Sequence, residues 1–318
     1  MILDAVASEK HYLDHILPIW LGLDDDERGV LHVPEVLAIG LRRQGIDCSP
    51  FAPLPWNDRP TLVSAWKDAD RARRVARPVV LMEHGAGQTY VEVDNASYAG
   101  APDRRGVALY LAPSERVAAL HAAAHPDIPV EVVGCPKLDA LGDIPSPVDG
   151  VCIAHHWSCY IAPETRSAWD EFHHVYRDIA AEGTLYGHAH PRAPRLSTTM
   201  KKHGLTFLAS FEDVLATCRV LVVDNSSIGA EWLALDRPVV WLNASFYRRD
   251  VHHGGRFWDW AEAGVQVDRP EDLAAAISTS LSSDPKAAER RRMAPTIYAN
   301  VGSATKAAVV ALRSRLNP

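Results

Sequence analysis

Cysteine is sparse in this chain and follows no pattern. Five residues, Cys48, Cys135, Cys152, Cys159 and Cys218, are scattered over 318 positions, odd in number and never in a Cys-x-x-Cys pair. That argues against both a disulfide framework and a structural zinc site. No apolar run approaches the roughly 20 residues that a membrane-crossing helix requires. Positive charge is not in excess either: 33 Lys and Arg face 40 Asp and Glu, a formal net charge of −7. This is the wrong sign for a nucleic-acid coat or a polybasic membrane anchor. The basic clusters Arg71-Ala72-Arg73-Arg74 and Arg290-Arg291-Arg292 read as solvated helix faces. Short-period repeats and low-complexity tracts are absent, and no basic and apolar leader precedes Ile2. A cytoplasmic protein is expected, at most peripheral to a membrane.

What is present is ordinary globular material, 47% hydrophobic and 23% charged, with a length suited to about two α/β domains. Apolar runs alternate with amphipathic segments. Strands are expected at Ile2 to Val6, Pro78 to Met82, Val107 to Ala112 and Val130 to Gly134, with a loop and helix over 11–21 and helices over 33–44 and 114–123, the last capped by Ser114. A Pro-, Gly- and Asp-rich segment, 136–150, predicts a linker. The rhythm then restarts, with strands at Val151 to Ala154, Thr184 to Tyr186, Thr206 to Leu208, Val220 to Val223 and Val239 to Leu242. Helices are expected over 165–182, 211–217 and 271–281, and a last one over 304–316. Two doubly wound units follow, with ligand expected outside the carboxyl ends of their strands. The domains are placed at 1–135 and 151–300, and the helix within 301–318 is expected to cross back onto the first.

The run from Leu221 to Trp241 is the most informative. It reads as buried strand, polar turn Asp224-Asn225-Ser226-Ser227, helix, and second buried strand. Such a turn aims the first N–H groups of a helix and two hydroxyls at one point, an arrangement that holds a diphosphate without a Walker loop. Ser226 and Ser227 serve either that purpose or a plain N-cap, and Asp224 accepts N–H bonds that hold the turn. Glu231, one helical turn on, either reaches a ribose or faces solvent.

The order His84-Gly85, Gly134-Cys135-Pro136-Lys137-Leu138-Asp139, His190-Pro191, Asp224-Asn225-Ser226-Ser227 and Asp236-Arg237-Pro238-Val239-Val240, followed by Asn300 to Lys306, resembles the CDP-glycerol glycerophosphotransferases of teichoic-acid synthesis. The likeness runs from about residue 78 to the C-terminus. It departs from the family at Asn225, and at Ala86-Gly87-Gln88-Thr89-Tyr90, where the family has a Lys. The resemblance implies the GT-B architecture, two Rossmann-like domains facing a central cleft. It also implies His84 as catalytic base, His190 against the donor phosphate, and Glu231 at the ribose. An imidazole titrates near neutrality and so suits proton removal from an attacking hydroxyl; otherwise His84 simply ends its strand.

The remaining candidates are weaker. Gly85 joins the donor-binding set, and Trp157, in His155-His156-Trp157, touches the base or the cleft. Arg256, after His252-His253-Gly254-Gly255, is either a clamp on an anion or part of a surface loop. His11 and His15, one helical turn apart, line an acceptor pocket or a solvated face. His188 and His190 share a strand face, but no further ligand completes a zinc shell, so no metal is expected and no cofactor. The expected partners are a nucleotide-activated donor and a hydroxyl acceptor, either a polyol phosphate, a glycan or, more remotely, modified nucleic acid. Transfer of glycerol phosphate from CDP-glycerol is the favoured reaction. A glycosyltransferase or epimerase using a nucleotide sugar is the alternative, and a nucleotide-binding module without turnover the second. Residues 136–150 are expected to act as a hinge that closes on donor binding.

Overall fold

The computed structural model describes residues 1–75, 77–87, 105–147, 149–159, 162–247 and 255–316. Gln88 to Tyr90, Val148 and the His252-His253-Gly254 segment lie outside them. The described residues divide into two compact units, one comprising 1–87, 105–140 and 298–316 and the other 141–297.

The first unit is built on seven parallel strands: β1 (Leu3–Val6), β2 (Arg28–Val33), β3 (Ser49–Pro50), β4 (Thr61–Val63), β5 (Val79–Met82), β6 (Val107–Ala112) and β7 (Val130–Val132). Their order is β3-β2-β1-β4-β5-β6-β7. Strands β1 and β4 to β6 are nearly all apolar and buried, as expected where helices cover both faces of a parallel sheet. The helix Glu115–Ala124 begins where Ser114 predicts, its hydroxyl accepting the Val117 N–H. Strands β2, β3 and β4 were not expected. Arg28, Gly29 and His32 break the apolar run of β2, β3 is only Ser-Pro, and β4 spans three residues. Their pairing partners, not their own composition, make them strands.

The last helix, Ala304–Leu316, packs against the helix Lys10–Leu21 of this unit. Ala308, Val309, Ala311 and Leu312 enter the same core as Leu13, Ile16, Ile19 and Trp20. Asp139 caps it, accepting the Ala304 N–H at 3.0 Å and the Thr305 N–H at 2.7 Å.

The second unit holds six parallel strands: β8 (Val151–His155), β9 (Leu185–Ala189), β10 (Thr206–Phe207), β11 (Val220–Val223), β12 (Val239–Leu242) and β13 (Val265–Val267), in the order β10-β9-β8-β11-β12-β13. β8 and β11 run in register from Val151 and Val220 to Ala154 and Val223. The expected long helix over 165–182 is broken into short turns and the helix Tyr176–Glu182, because Ser167 and Ala168 are drawn inward to bond Asp224. Arg290 is not solvated as its cluster suggested. It is buried, bonded to Asp284 and Asp236, while Arg291 and Arg292 remain exposed. Among the described residues, no helix is long and apolar enough to cross a membrane.

Candidate functional site

The strand order of the second unit reverses at β8 and β11, with β9 and β10 on one side and β12 and β13 on the other. At such a switch point the two outgoing turns diverge, opening the carboxyl edge where parallel sheets receive ligands. His156-Trp157 leaves β8, and Asp224-Asn225-Ser226-Ser227 leaves β11. Asp224 ties the two turns together. Its fully buried carboxylate accepts from His155 Nδ1 at 3.0 Å, the His156 N–H at 2.8 Å, the Ala168 N–H at 3.0 Å and the Ser167 hydroxyl at 3.3 Å. Burial pushes its pKa up, but the His155 bond and charge, the nearby His156 and the Ala168 N–H outweigh it and the net shift is downward. Asp224 is therefore ionised and His155 Nδ1 donates to it; in the neutral ring Nε2 then accepts from the Tyr176 hydroxyl at 2.7 Å.

The hydroxyls above this carboxylate have no such commitments. Ser227 takes helical angles, φ −60° and ψ −26°, at the start of the helix Ile228–Ala234, and no side chain caps that helix. Among the described residues, neither the Ser226 nor the Ser227 hydroxyl takes part in a hydrogen bond. The plain N-cap alternative is thus not what the turn uses them for. The N–H groups behave differently from expectation, since those of Gly229 and Ala230 return to the Ser226 and Ser227 carbonyls at 3.1 and 3.0 Å. A side chain at Gly229 would place its Cβ 2.5 Å from the Trp241 ring, so only glycine lets this turn press down on β12.

Other members of the expected donor set lie beneath the surface. Asn225 is buried and donates through Nδ2 to the Thr165 carbonyl at 3.3 Å. Glu231 is 2% exposed, so it does not face solvent. Arg256 is 1% exposed and belongs to the interior rather than to a surface loop, its N–H donating to Asp259. His156 is also buried, and its pKa falls to about 4: burial dominates over the raising influence of Asp224, and Arg256 adds to the lowering.

His190 follows β9, half-buried, with its N–H on the His155 carbonyl at 3.3 Å. Its Nδ1 accepts the Arg192 N–H at 3.1 Å, so in the neutral ring the proton sits on Nε2 and that nitrogen is a donor. The ring stands edge-on to His156, centroids 5.3 Å apart, and 6.4 Å from buried Trp157, over which Arg192 lies at 5.4 Å. His188 is tied to the Leu208 carbonyl at 3.0 Å.

In the first unit, His84 follows β5 and precedes Gly85, whose φ of 81° is left-handed and suits glycine. His84 Nδ1 is 2.5 Å from the Ser64 carbonyl. A carbonyl only accepts, so Nδ1 carries a proton, and in the neutral ring Nε2 keeps its lone pair. In their neutral rings the two histidines thus carry opposite tautomers, with Nε2 an acceptor in His84 and a donor in His190. Around His84 stand Tyr12, His11 and His15, with ring centroids at 4.9, 6.2 and 6.4 Å. His15 is buried, its pKa well lowered by burial and by the Lys137, His84 and His11 charges; its Nδ1 lies 3.5 Å from Cys135 Sγ. The solvated-face alternative fails for His15. Glu83 is bonded to His121 at 3.1 Å. Among the described residues, no group of three His, Cys, Asp or Glu is placed to hold a metal ion.

No family model matches this chain, and no curated protein matches it by sequence. Solved structures do. The Staphylococcus aureus MnaA–UDP co-structure superposes with a TM-score of 0.68 at 13% identity, covering 100% of this chain and 97% of that one. UDP-GlcNAc 2-epimerase from Neisseria meningitidis bound to UDP-GlcNAc gives 0.64 at 13%, with both chains covered in full. The wall teichoic acid polymerase TagF gives 0.62 at 11%, covering 99% and 89%. The fold is GT-B. Identities this low establish architecture and leave activity to the site itself.

His155, Ser167 and Tyr176 were not singled out as carriers of the site. Only the adjacency of His155 to Trp157 hinted at one of them. Tyr176 lies in what reads as ordinary helix, and its partnership with β8 exists only in three dimensions.

Proposed function

We propose that this chain is a GT-B transferase whose second unit binds a nucleoside-diphosphate-activated donor at the carboxyl edge of β8 and β11. The observation that carries the reading is the pair of uncommitted hydroxyls at Ser226 and Ser227, set on a turn that Asp224 holds from below. Oxygen-rich diphosphate calls for donors, and these hydroxyls with the N–H of His190 Nε2 supply them. The favoured donor is CDP-glycerol. An acceptor hydroxyl would attack the β-phosphorus, the bridging oxygen would leave with CMP, and His84 Nε2 would take the hydroxyl proton. The acceptor is a polyol phosphate or a glycan.

A second reading keeps the donor site and breaks the bond at the sugar carbon, so that a nucleoside diphosphate leaves. The full-length superposition on UDP-GlcNAc 2-epimerase supports it.

A thermal-shift panel of CDP-glycerol, CDP, UDP-GlcNAc, UDP and GDP-sugars tests both, because a ligand that binds the native state raises its melting temperature. A rise with CDP-glycerol and CDP is expected. A rise with the uridine compounds alone favours the second reading, and no rise with any of them overturns the donor site.

A further inference from the structure

At the carboxyl ends of β8 and β11 the backbone ladder stops at Ala154 and Val223, and beyond it the two turns are no longer held by strand pairing. Side chains replace the ladder. Tyr176 donates to His155, His155 donates to Asp224, and Asp224 also collects the N–H groups of His156 and Ala168. Tyr176, His155 and Asp224 are essentially without exposure, so water does not compete for these bonds and none of the three meets a ligand directly. Three segments are joined: the exit of β8, the stretch from Ser167 to Tyr176, and the exit of β11. The first leads through the His155 carbonyl to the His190 N–H, and the last leads straight into Ser226 and Ser227.

We infer that Tyr176, His155 and Asp224 form a buried brace whose task is to position Ser226, Ser227 and His190 for a diphosphate. They are positioning residues, and the inference rests on the donor reading above. Ionised Asp224 only accepts, so His155 Nδ1 donates to it, and against the neutral ring Tyr176 is the donor to Nε2. Removing the Tyr176 hydroxyl leaves His155 Nε2 buried without its donor. Replacing Asp224 by Asn sets an amide NH₂ against N–H donors.

Tyr176→Phe is the mild variant and Asp224→Asn the severe one, and both are read first by hydrogen exchange, which needs no ligand. Amides at 156–158 and 226–228 should exchange about tenfold faster in Tyr176→Phe while those of β12 stay slow. CDP affinity, by calorimetric titration, should fall about five- to tenfold. Combined with Ser226→Ala, the loss should be smaller than the product of the two single losses, because both act on the same contact. Unchanged exchange in the two turns overturns the brace. Faster exchange with unaltered CDP affinity, or losses that multiply, overturns its positioning role. If the wild-type chain binds neither CDP, UDP nor pyrophosphate, the donor reading falls, while exchange still decides whether the brace exists.

Discussion

The backbone N–H of His156 donates to the Asp224 carboxylate at 2.8 Å, while the His156 imidazole, one bond system away, is kept neutral by burial. The folded chain therefore binds fewer protons at this position than the unfolded chain does. A histidine whose folded pKa is lowered contributes stability that is complete above its unfolded value near 6.5 and is lost as pH falls toward about 4. Asp224, with its pKa depressed, acts in the same direction at lower pH. We expect His156→Gln to flatten the loss of stability between pH 6.5 and 4, by up to about 3 kcal/mol. Urea melts across that range check it, and parallel profiles for the two proteins would refute it.

Ser226→Ala with Ser227→Ala should weaken donor binding and leave the fold intact, since neither hydroxyl supports the helix that follows. Each bond to a charged phosphate is worth about 1.5 to 3 kcal/mol. Calorimetric titration with the ligand found by thermal shift measures the loss, and unchanged affinity would remove the phosphate assignment.

His84→Ala should lower turnover about a hundredfold or more and leave donor affinity nearly unaltered. The expectation rests on the Nε2 lone pair that the Ser64 carbonyl enforces. Steady-state kinetics with saturating acceptor decide it. Wild-type turnover would send the search to His11, since His15 is buried and Glu83 is bonded to His121.

Arg77→Ala should destabilise the first unit by about 3 to 5 kcal/mol. Arg77 and Asp4 are both fully buried, their side chains 2.5 Å apart, and Arg77 also donates to the Pro55 carbonyl at 2.9 Å. Its loss would strand the Asp4 carboxylate, still held by the Val30 N–H at 2.8 Å. Chemical denaturation gives the value directly, and a change below about 1 kcal/mol would show that solvent or Arg59, already 3.6 Å from the Asp4 carboxylate, replaces the pair.

Two doubly wound units, most strand positions and the 221–241 unit were legible in the residues, because wholly apolar runs such as Val79–Met82, Val220–Val223 and Val239–Leu242 suit a doubly covered sheet. Strands β2, β3, β4 and β13 were not, since short or polar segments become strands only when a neighbour supplies the ladder.

Motif order pointed to the right architecture, but motif residues divide differently in space. Asp139 caps the last helix, and Arg237 is a buried brace that donates to the Leu215 and Ile144 carbonyls. Both make internal contacts of the fold, and local sequence does not separate them from residues that meet a ligand.

By itself the sequence determined the strand-and-helix rhythm, the placement of His84 and the serine pair at strand ends, and the sign of the overall charge. Those follow from side-chain periodicity and composition, which are local. Tertiary structure alone decided which imidazole nitrogen of His84 and of His190 carries the proton, since a carbonyl at Ser64 and an N–H at Arg192 set them. It also decided that Glu231, Asn225 and Arg256 lie buried while the serine hydroxyls stay uncommitted. Exposure and hydrogen-bond partners come from residues far apart in the chain, such as His155 with Asp224 and Asp139 with Thr305, and that information is present only when the chain is folded.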